Sequence, residues 1–210
     1  MNLIIDDTDH PLIIKVASIQ STRIQVYFID NDDYFGKRLM AKDEQGEDYP
    51  DNGERAIFFA RGVLETVKKL RWVPDVIHCQ GWMSAVVPLY VKTAYHDEPS
   101  FAETKVVTSL FSKDKNLDLG TNFKKCLEFR DAKAELLEVY NDNFNLEELE
   151  KLAIDYSDGI FQANQDVNEK LIDYAKGKNI PVLGYLEDFA DAYETFYDQL
   201  FPEEAEPVED

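Results

Sequence analysis

The segment DVIHCQGWMSAVVP, Asp75–Pro88, decides the fold of this 210-residue chain. Its first five residues form a short apolar run that predicts a buried β-strand, and a helix is predicted to follow over Met83–Ala94. A polar and aromatic turn, Gln80–Trp82, joins the two elements. Ligands of parallel α/β sheets bind beyond the carboxyl ends of the strands, so the turn is a candidate functional site.

Short apolar strands alternate with amphipathic helices on both sides of this segment, which favours a mostly parallel, Rossmann-like, doubly wound α/β sheet. A first helix is expected from Glu54 to before Pro74, capped by Asp51 or Asn52. Further strands are predicted at KVVTSLF (105–111), DGIFQA (158–163) and IPVLGY (180–185), with helices over 122–140, 145–154, 166–177 and 187–201.

The N-terminal region differs, because PLIIKVASI (11–19) and RIQVYFI (23–29) predict an antiparallel β segment with QSTR as its turn. A long polar loop follows, whose length suggests function or mobility. One domain is therefore predicted over residues 1–201, with an acidic, disordered tail over residues 202–210.

Composition excludes several classes of protein. The formal net charge of −20 makes nucleic acid and anionic membranes improbable partners. No signal peptide or membrane-length apolar run is present, and two cysteines do not make a disulfide framework, so a cytoplasmic location is expected. The acidic clusters are interpreted as solvated charge rather than as metal sites. They comprise Asp6, Asp7 and Asp9 with His10, and Asp30, Asp32 and Asp33.

The turn after the central strand offers recognition groups more readily than catalysts. Gln80 can donate and accept hydrogen bonds but cannot act as a general base. Trp82 presents a flat face suited to a sugar ring or a base, although it could equally anchor the core. His78 ends an apolar strand, where a histidine is more often structural than functional. The glycine-rich motifs that bind phosphate groups are absent from the sequence, which argues against a Rossmann-type dinucleotide site and against a P-loop.

Three blocks together resemble the N-terminal half of the ADP-glucose-dependent bacterial and plant glycogen/starch synthases. They are VYFIDNDDYFG (26–36), YPDNGERAIFFARGVLETVKKL (49–70) and PDVIHCQGWMSAVVPLYVKT (74–93). The resemblance implies one half of a two-domain GT-B-type glycosyltransferase, in which this half mainly holds an α-1,4-glucan acceptor and the other half mainly holds ADP-glucose. It implies no metal or other cofactor. The substrate-binding residues that it implies are Asp51, Asn52, Arg55, His78, Gln80 and Trp82.

The chain also departs from the family pattern. A family turn His-Asp-Trp-His corresponds to Gln80–Met83, and a family histidine after the next strand corresponds to Phe111 and Ser112. The family's opening strand with its Lys-x-Gly-Gly-Leu loop, and its C-terminal donor domain, have no counterpart in the sequence. We therefore assign no catalytic residue and treat His78, Gln80 and Trp82 as a vestigial turn.

Two functions remain open on the sequence alone. The first is a glycogen/starch synthase-like transferase domain that is incomplete or inactive by itself. The alternative is a non-catalytic glucan-binding or regulatory module. A third interpretation is a structural remnant with neither function. In every case the sheet is expected to expose an edge, which predicts self-association or a partner chain that covers it.

Overall fold

The computed structural model describes residues 1–111, 116–142 and 144–201, and it confirms an α/β fold with a four-stranded parallel sheet and small antiparallel sheets. The predicted tail, residues 202–210, lies outside the described residues. The strands are β1 (Asn2–Ile5), β2 (Thr8–Pro11), β3 (Ile13–Ser18), β4 (Gln25–Asp30), β5 (Val76–Gln80), β6 (Lys105–Leu110), β7 (Gly159–Gln162) and β8 (Val182–Leu183). The α-helices are α1 (Asp32–Phe35), α2 (Asn52–Leu70), α3 (Val87–Lys92), α4 (Phe123–Cys126), α5 (Ala134–Leu137), α6 (Leu146–Asp155), α7 (Glu169–Gly177) and α8 (Ala190–Asp198).

The parallel sheet has the strand order β5-β6-β7-β8, and successive side chains along each strand pack on opposite faces. Cys79, Val106 and Ile160 face the helices α2, α3, α6 and α7. Val107 and Phe161 face the aromatic residues of α8. Both faces are thus covered, which explains why β6 and β7 are buried along almost their whole length.

Helix α2 is the longest helix and its buried face carries much of the core, including Ile57, Phe58 and Leu64. Asp51 occupies its N-cap position, but the Asp51 side chain makes no capping hydrogen bond. Arg71 ends the helix in the left-handed region at φ 53°. The predicted helix is confirmed, whereas side-chain capping by Asp51 or Asn52 is wrong.

The N-terminal region holds two antiparallel hairpins, of which the sequence predicted only the second, β3–β4. The hairpin β1–β2 turns through Asp6 and Asp7, both at positive φ. Its strand β2 buries His10 against Tyr34, with the two ring centroids 4.5 Å apart. His10 therefore belongs to the core, and the prediction of solvated charge is wrong for this one residue.

The predicted helix over Met83–Ala94 is wrong in extent. A 3₁₀ turn occupies Trp82–Ser84 and α3 begins only at Val87. Pro88 lacks an N–H group, so it cannot bond to the carbonyl of Ser84, and the α-helical ladder is interrupted there. The predicted helices over 122–140 are likewise only the single turns α4 and α5.

Strand β5 forms one edge of the parallel sheet within the part of the chain that the structure describes. Whether a second chain covers this edge stays a prediction. None of the described helices is long and apolar enough to span a membrane.

Candidate functional site

An open groove of about 920 Å³ lies at the carboxyl ends of β5 and β6, where the strand-to-helix turn was predicted to form a site. Its size is at the upper end of the roughly 300–1,000 Å³ that small-molecule sites occupy. One part of the wall is the loop 39–43, and another part comes from α6. The described lining residues are Leu39, Met40, Ala41, Lys42, Asp43, Gln80, Gly81, Trp82, Ala85, Thr108, Ser109, Leu110, Phe111, Asn116, Leu117, Leu146, Glu150 and Ala153.

The turn that follows β5 positions Gln80 and Trp82 at the groove. Gly81 adopts φ 78° and ψ 163°, a backbone conformation that residues with a Cβ rarely adopt. The hydroxyl of Ser84 donates to the Gly81 carbonyl at 2.9 Å and closes the turn. Trp82 is half-buried and packs partly against the core, while Gln80 is exposed. Trp82 is thus both a core contact and a lining residue.

Two buried side chains beneath the groove hold its wall loop. Arg55 is 1% exposed and donates to the carbonyls of Tyr34 and Leu39, each at 3.0 Å, and to the Asn52 side-chain oxygen at 2.8 Å. Asn52 is fully buried and donates to the carbonyl of Ala41 at 2.9 Å. Both residues therefore contact groove-lining backbone but do not themselves line the groove.

Electrostatics around Arg55 reflect its burial. Burial is the main cause that lowers the pKa of Arg55, and the nearby Arg38 lowers this pKa further. The Arg55 guanidinium lies 5.1 Å from the ring centroid of Tyr49 and 6.0 Å from that of Trp82. Aromatic faces and neutral oxygens thus contact this cation, and the nearby Asp51 carboxylate acts to raise its pKa.

Asp51 lies beside the wall loop and forms a two-pronged ion pair with Arg38. The two carboxylate oxygens accept from the guanidinium at 2.7 and 2.5 Å. This hydrogen bonding raises the pKa of Arg38. The Arg38 guanidinium also stacks over Tyr49 at 4.2 Å. Asp51 is not among the residues that line the groove.

His78 lies on the sheet face that α8 covers. One ring nitrogen is 2.6 Å from the Ser109 hydroxyl and the other is 2.7 Å from the Tyr197 hydroxyl. The Phe161 ring packs edge-on against the imidazole at 4.9 Å. Burial lowers the pKa of His78 to about 4, so the imidazole is neutral at pH 7. His78 therefore joins α8 to the sheet.

Of the residues that the resemblance implied, the structure brings Gln80 and Trp82 together in the groove. It places Asn52 and Arg55 beneath the groove, Asp51 beside it, and His78 under α8. The length of the polar loop suggested function or mobility, but the sequence did not place this loop at the groove. Sequence reasoning missed the α6 side of the groove. Among the described residues, no group of three or more His, Cys, Asp or Glu could hold a metal ion. Ser112, a position where the family pattern differs, lies outside the described residues.

The groove offers binding chemistry. Trp82 supplies a flat apolar surface, Gln80 supplies an amide, and the walls are largely aliphatic. This combination fits a neutral ligand with apolar ring faces and hydroxyl edges.

Comparison with known protein families shows which proteins the chain is similar to. The family model described as starch synthase catalytic domain matches residues 3–179. Curated relatives include the glycogen synthase of Chlorobium limicola, 39% identical over 105 residues, and that of Chlorobaculum tepidum, 42% identical over 106 residues. Each alignment covers 50% of this chain and 22% of the relative. The matched part thus spans about a fifth of the length of these relatives.

The fold also resembles a solved structure, the catalytic domain of starch synthase IV from Arabidopsis thaliana bound to ADP and acarbose. The TM-score is 0.67 at 15% identity, and the match covers 88% of this chain and 38% of that chain. At this identity the similarity demonstrates a shared fold.

Proposed function

Because the chain belongs to the starch synthase catalytic domain family, we propose that it forms the glucan-holding part of a glycogen or starch synthase-type glycosyltransferase. In this proposal, the groove beside Trp82 binds an α-1,4-glucan as the acceptor of a glucosyl group. The observation that carries the proposal is the position of Trp82, which exposes an aromatic surface within a 920 Å³ groove at the carboxyl edge of the sheet.

The charges of the groove favour an acceptor role over a donor role. A nucleotide-sugar donor carries a diphosphate, which needs cations or N–H dipoles to stabilise the developing charge. Lys42 is the one cation among the described lining residues, and it already pairs with Asp48 at 3.4 Å. We therefore propose that transfer from ADP-glucose requires groups beyond this chain.

The remaining predicted residues receive positioning roles in this proposal. Arg55 and Asn52 fix the wall loop Leu39–Asp43, and Asp51 restrains Arg38 beside that loop. A cytoplasmic location is also part of the proposal, and two buried free thiols, Cys79 and Cys126, support a reducing compartment.

Isothermal titration with maltooligosaccharides tests glucan binding, and the two tryptophans provide a matched pair. Trp72 is 57% exposed and lies beyond the other end of β5, outside the described groove lining. We expect Trp82→Ala to weaken binding by about tenfold, equivalent to about 1.4 kcal/mol, while Trp72→Ala leaves it unchanged. Equal affinity in both variants, or no binding by the unmodified chain, would refute the proposal.

A second assay tests whether this chain supplies only the acceptor site. The purified chain is incubated with radiolabelled ADP-glucose and glycogen, and incorporation into glycogen is measured. We expect no incorporation by this chain alone. Incorporation would show that the donor groups lie within the chain and would overturn the acceptor-only role.

A further inference from the structure

The hairpin β3–β4 carries apolar side chains that the rest of the fold leaves uncovered. Every residue from 15 to 25 is exposed. The large apolar side chains exposed on this hairpin are Ile13, Val16, Ile19, Ile24 and Phe28. Scattered apolar residues on a protein surface are ordinary, but a continuous apolar surface of this kind marks an interaction site.

Strand β3 also has an unpaired edge within the described ranges of the chain. It pairs only with β4, and a two-stranded hairpin by itself is marginally stable in water. All residues of β3 except Ile14 are exposed, whereas four of the six residues of β4 are partly buried. The free N–H and C=O groups of β3 are therefore the ones that another strand can reach.

Charge distinguishes this hairpin from the chain as a whole. Asp and Glu make up 42 of the 210 residues, yet residues 11–29 contain neither. The charged residues of this stretch are Lys15 and Arg23, and Lys15 forms an ion pair with Asp30. Two copies of a chain with a net charge of −20 repel each other, but at this hairpin they can meet without opposed carboxylates.

The sequence of β3 suits pairing with itself. Two identical antiparallel strands related by a two-fold axis place one residue opposite its own copy. With Val16 at the axis, Ile13 lies opposite Ile19 of the second copy, which is an apolar pair. The same register places Lys15 opposite Ala17 and keeps the two ammonium groups from facing each other. Moving the axis by one residue, to Lys15, would oppose these two like charges.

We propose that β3 is a homodimerisation surface, at which two copies of this chain pair edge to edge. The two hairpins then form one four-stranded antiparallel sheet in the order β4-β3-β3-β4. This pairing satisfies the free edge of β3 and covers apolar side chains on both copies. A second copy fits this surface better than a basic partner does, because a basic partner would be drawn to the carboxylate-rich remainder of the surface. The inference is independent of the proposed function.

Sedimentation velocity over a range of protein concentrations tests the dimer, and two exposed valines provide a matched pair. Val16 is 54% exposed and Val73, which precedes β5, is 58% exposed. We expect Val16→Glu to raise the dimer dissociation constant by about tenfold or more, because two carboxylates would then face each other, while Val73→Glu leaves it unchanged. Added salt should lower the dissociation constant of the unmodified chain, since salt screens the repulsion between the copies. A monomer at every concentration, or equal weakening by both variants, would overturn the proposal.

A cysteine at the axis tests the register and decides the question even if Val16→Glu fails to fold. Opposed residues of antiparallel strands have Cα atoms about 4.5–5.5 Å apart, a distance that a disulfide can span. The native Cys79 and Cys126 are buried and should not compete. With diamide as the oxidant, Val16→Cys should form a covalent dimer on a non-reducing gel, and Val73→Cys should remain monomeric. No covalent dimer of Val16→Cys, or equal yields from both variants, would refute pairing through β3.

Discussion

Arg55 is the residue whose replacement should most clearly expose how the groove is built. It is almost completely buried and makes three hydrogen bonds, to two backbone carbonyls and one amide oxygen. Replacement by methionine keeps an apolar stem of similar length but removes every donor. The carbonyl of Tyr34 and the side-chain oxygen of Asn52 then lose buried hydrogen bonds, and the carbonyl of Leu39 loses a part-buried one.

The expected cost follows from these three acceptors. Each buried acceptor left without a partner costs about 1–3 kcal/mol, and removing the desolvated guanidinium recovers part of that sum. We therefore expect Arg55→Met to reduce the free energy of unfolding by about 3 kcal/mol, out of the roughly 5–15 kcal/mol typical of a domain. Because Leu39 lines the groove, glucan affinity should fall as well.

Arg38→Met is the matched control, because Arg38 directly precedes the loop 39–43 that Arg55 contacts but forms a partly exposed ion pair with Asp51. Its loss should cost about 1 kcal/mol or less. Urea unfolding followed by far-ultraviolet circular dichroism gives both values. If Arg55→Met destabilises the chain no more than Arg38→Met does, the three hydrogen bonds of Arg55 do not hold the loop.

Two further predictions concern stability. His78 is protonated near its ordinary pKa in the unfolded chain but only near pH 4 in the folded chain. The free energy of unfolding of the wild type relative to His78→Gln should therefore fall as the pH is lowered from about 6.5 to 4, by at most about 1.4 kcal/mol per pH unit. A difference that stays constant with pH would contradict burial of a neutral imidazole. Gly53→Ala should destabilise the chain by about 1–3 kcal/mol, since a Cβ would overlap the Leu119 carbonyl oxygen and the Phe123 ring. Gly177→Ala, where a Cβ meets open space, should instead stabilise it by about 0.4–1 kcal/mol, and the reverse order in thermal unfolding would contradict this packing.

The parallel sheet could be predicted because its strands are short apolar runs separated by helical periodicity. The same reasoning missed the hairpin β1–β2, whose turn places Asp6 and Asp7 at positive φ without a glycine. It also began the helix after Trp82 too early, since α3 starts only at Val87 and Pro88 has no N–H to bond to the carbonyl of Ser84. The position of such a turn and the residue at which such a helix begins depend on backbone geometry, which residue type alone does not determine.

The sequence could predict the part of the candidate site that the turn after β5 forms, but not the part formed by residues distant from that turn. Gln80 and Trp82 follow a strand directly, so their place at the sheet edge follows from the alternation of strands and helices. The rest of the lining includes residues 39–43 and residues of α6, which are distant from the turn in sequence. The position of residues 39–43 depends on tertiary hydrogen bonds such as that from the buried Arg55 side chain to the Leu39 carbonyl, which no local pattern indicates.

His78 and Trp82, both implied by the family resemblance to bind substrate, therefore have different physical roles. Hydroxyl groups lie within hydrogen-bond distance of both nitrogens of His78, and the ring is neutral at pH 7, so packing of α8 alone accounts for a histidine there. Core packing covers only part of the Trp82 side-chain surface, since this side chain also lines the groove. A ligand is the simplest partner for that remaining aromatic surface. Trp82, rather than His78, is thus the residue at which a retained glucan site should be tested.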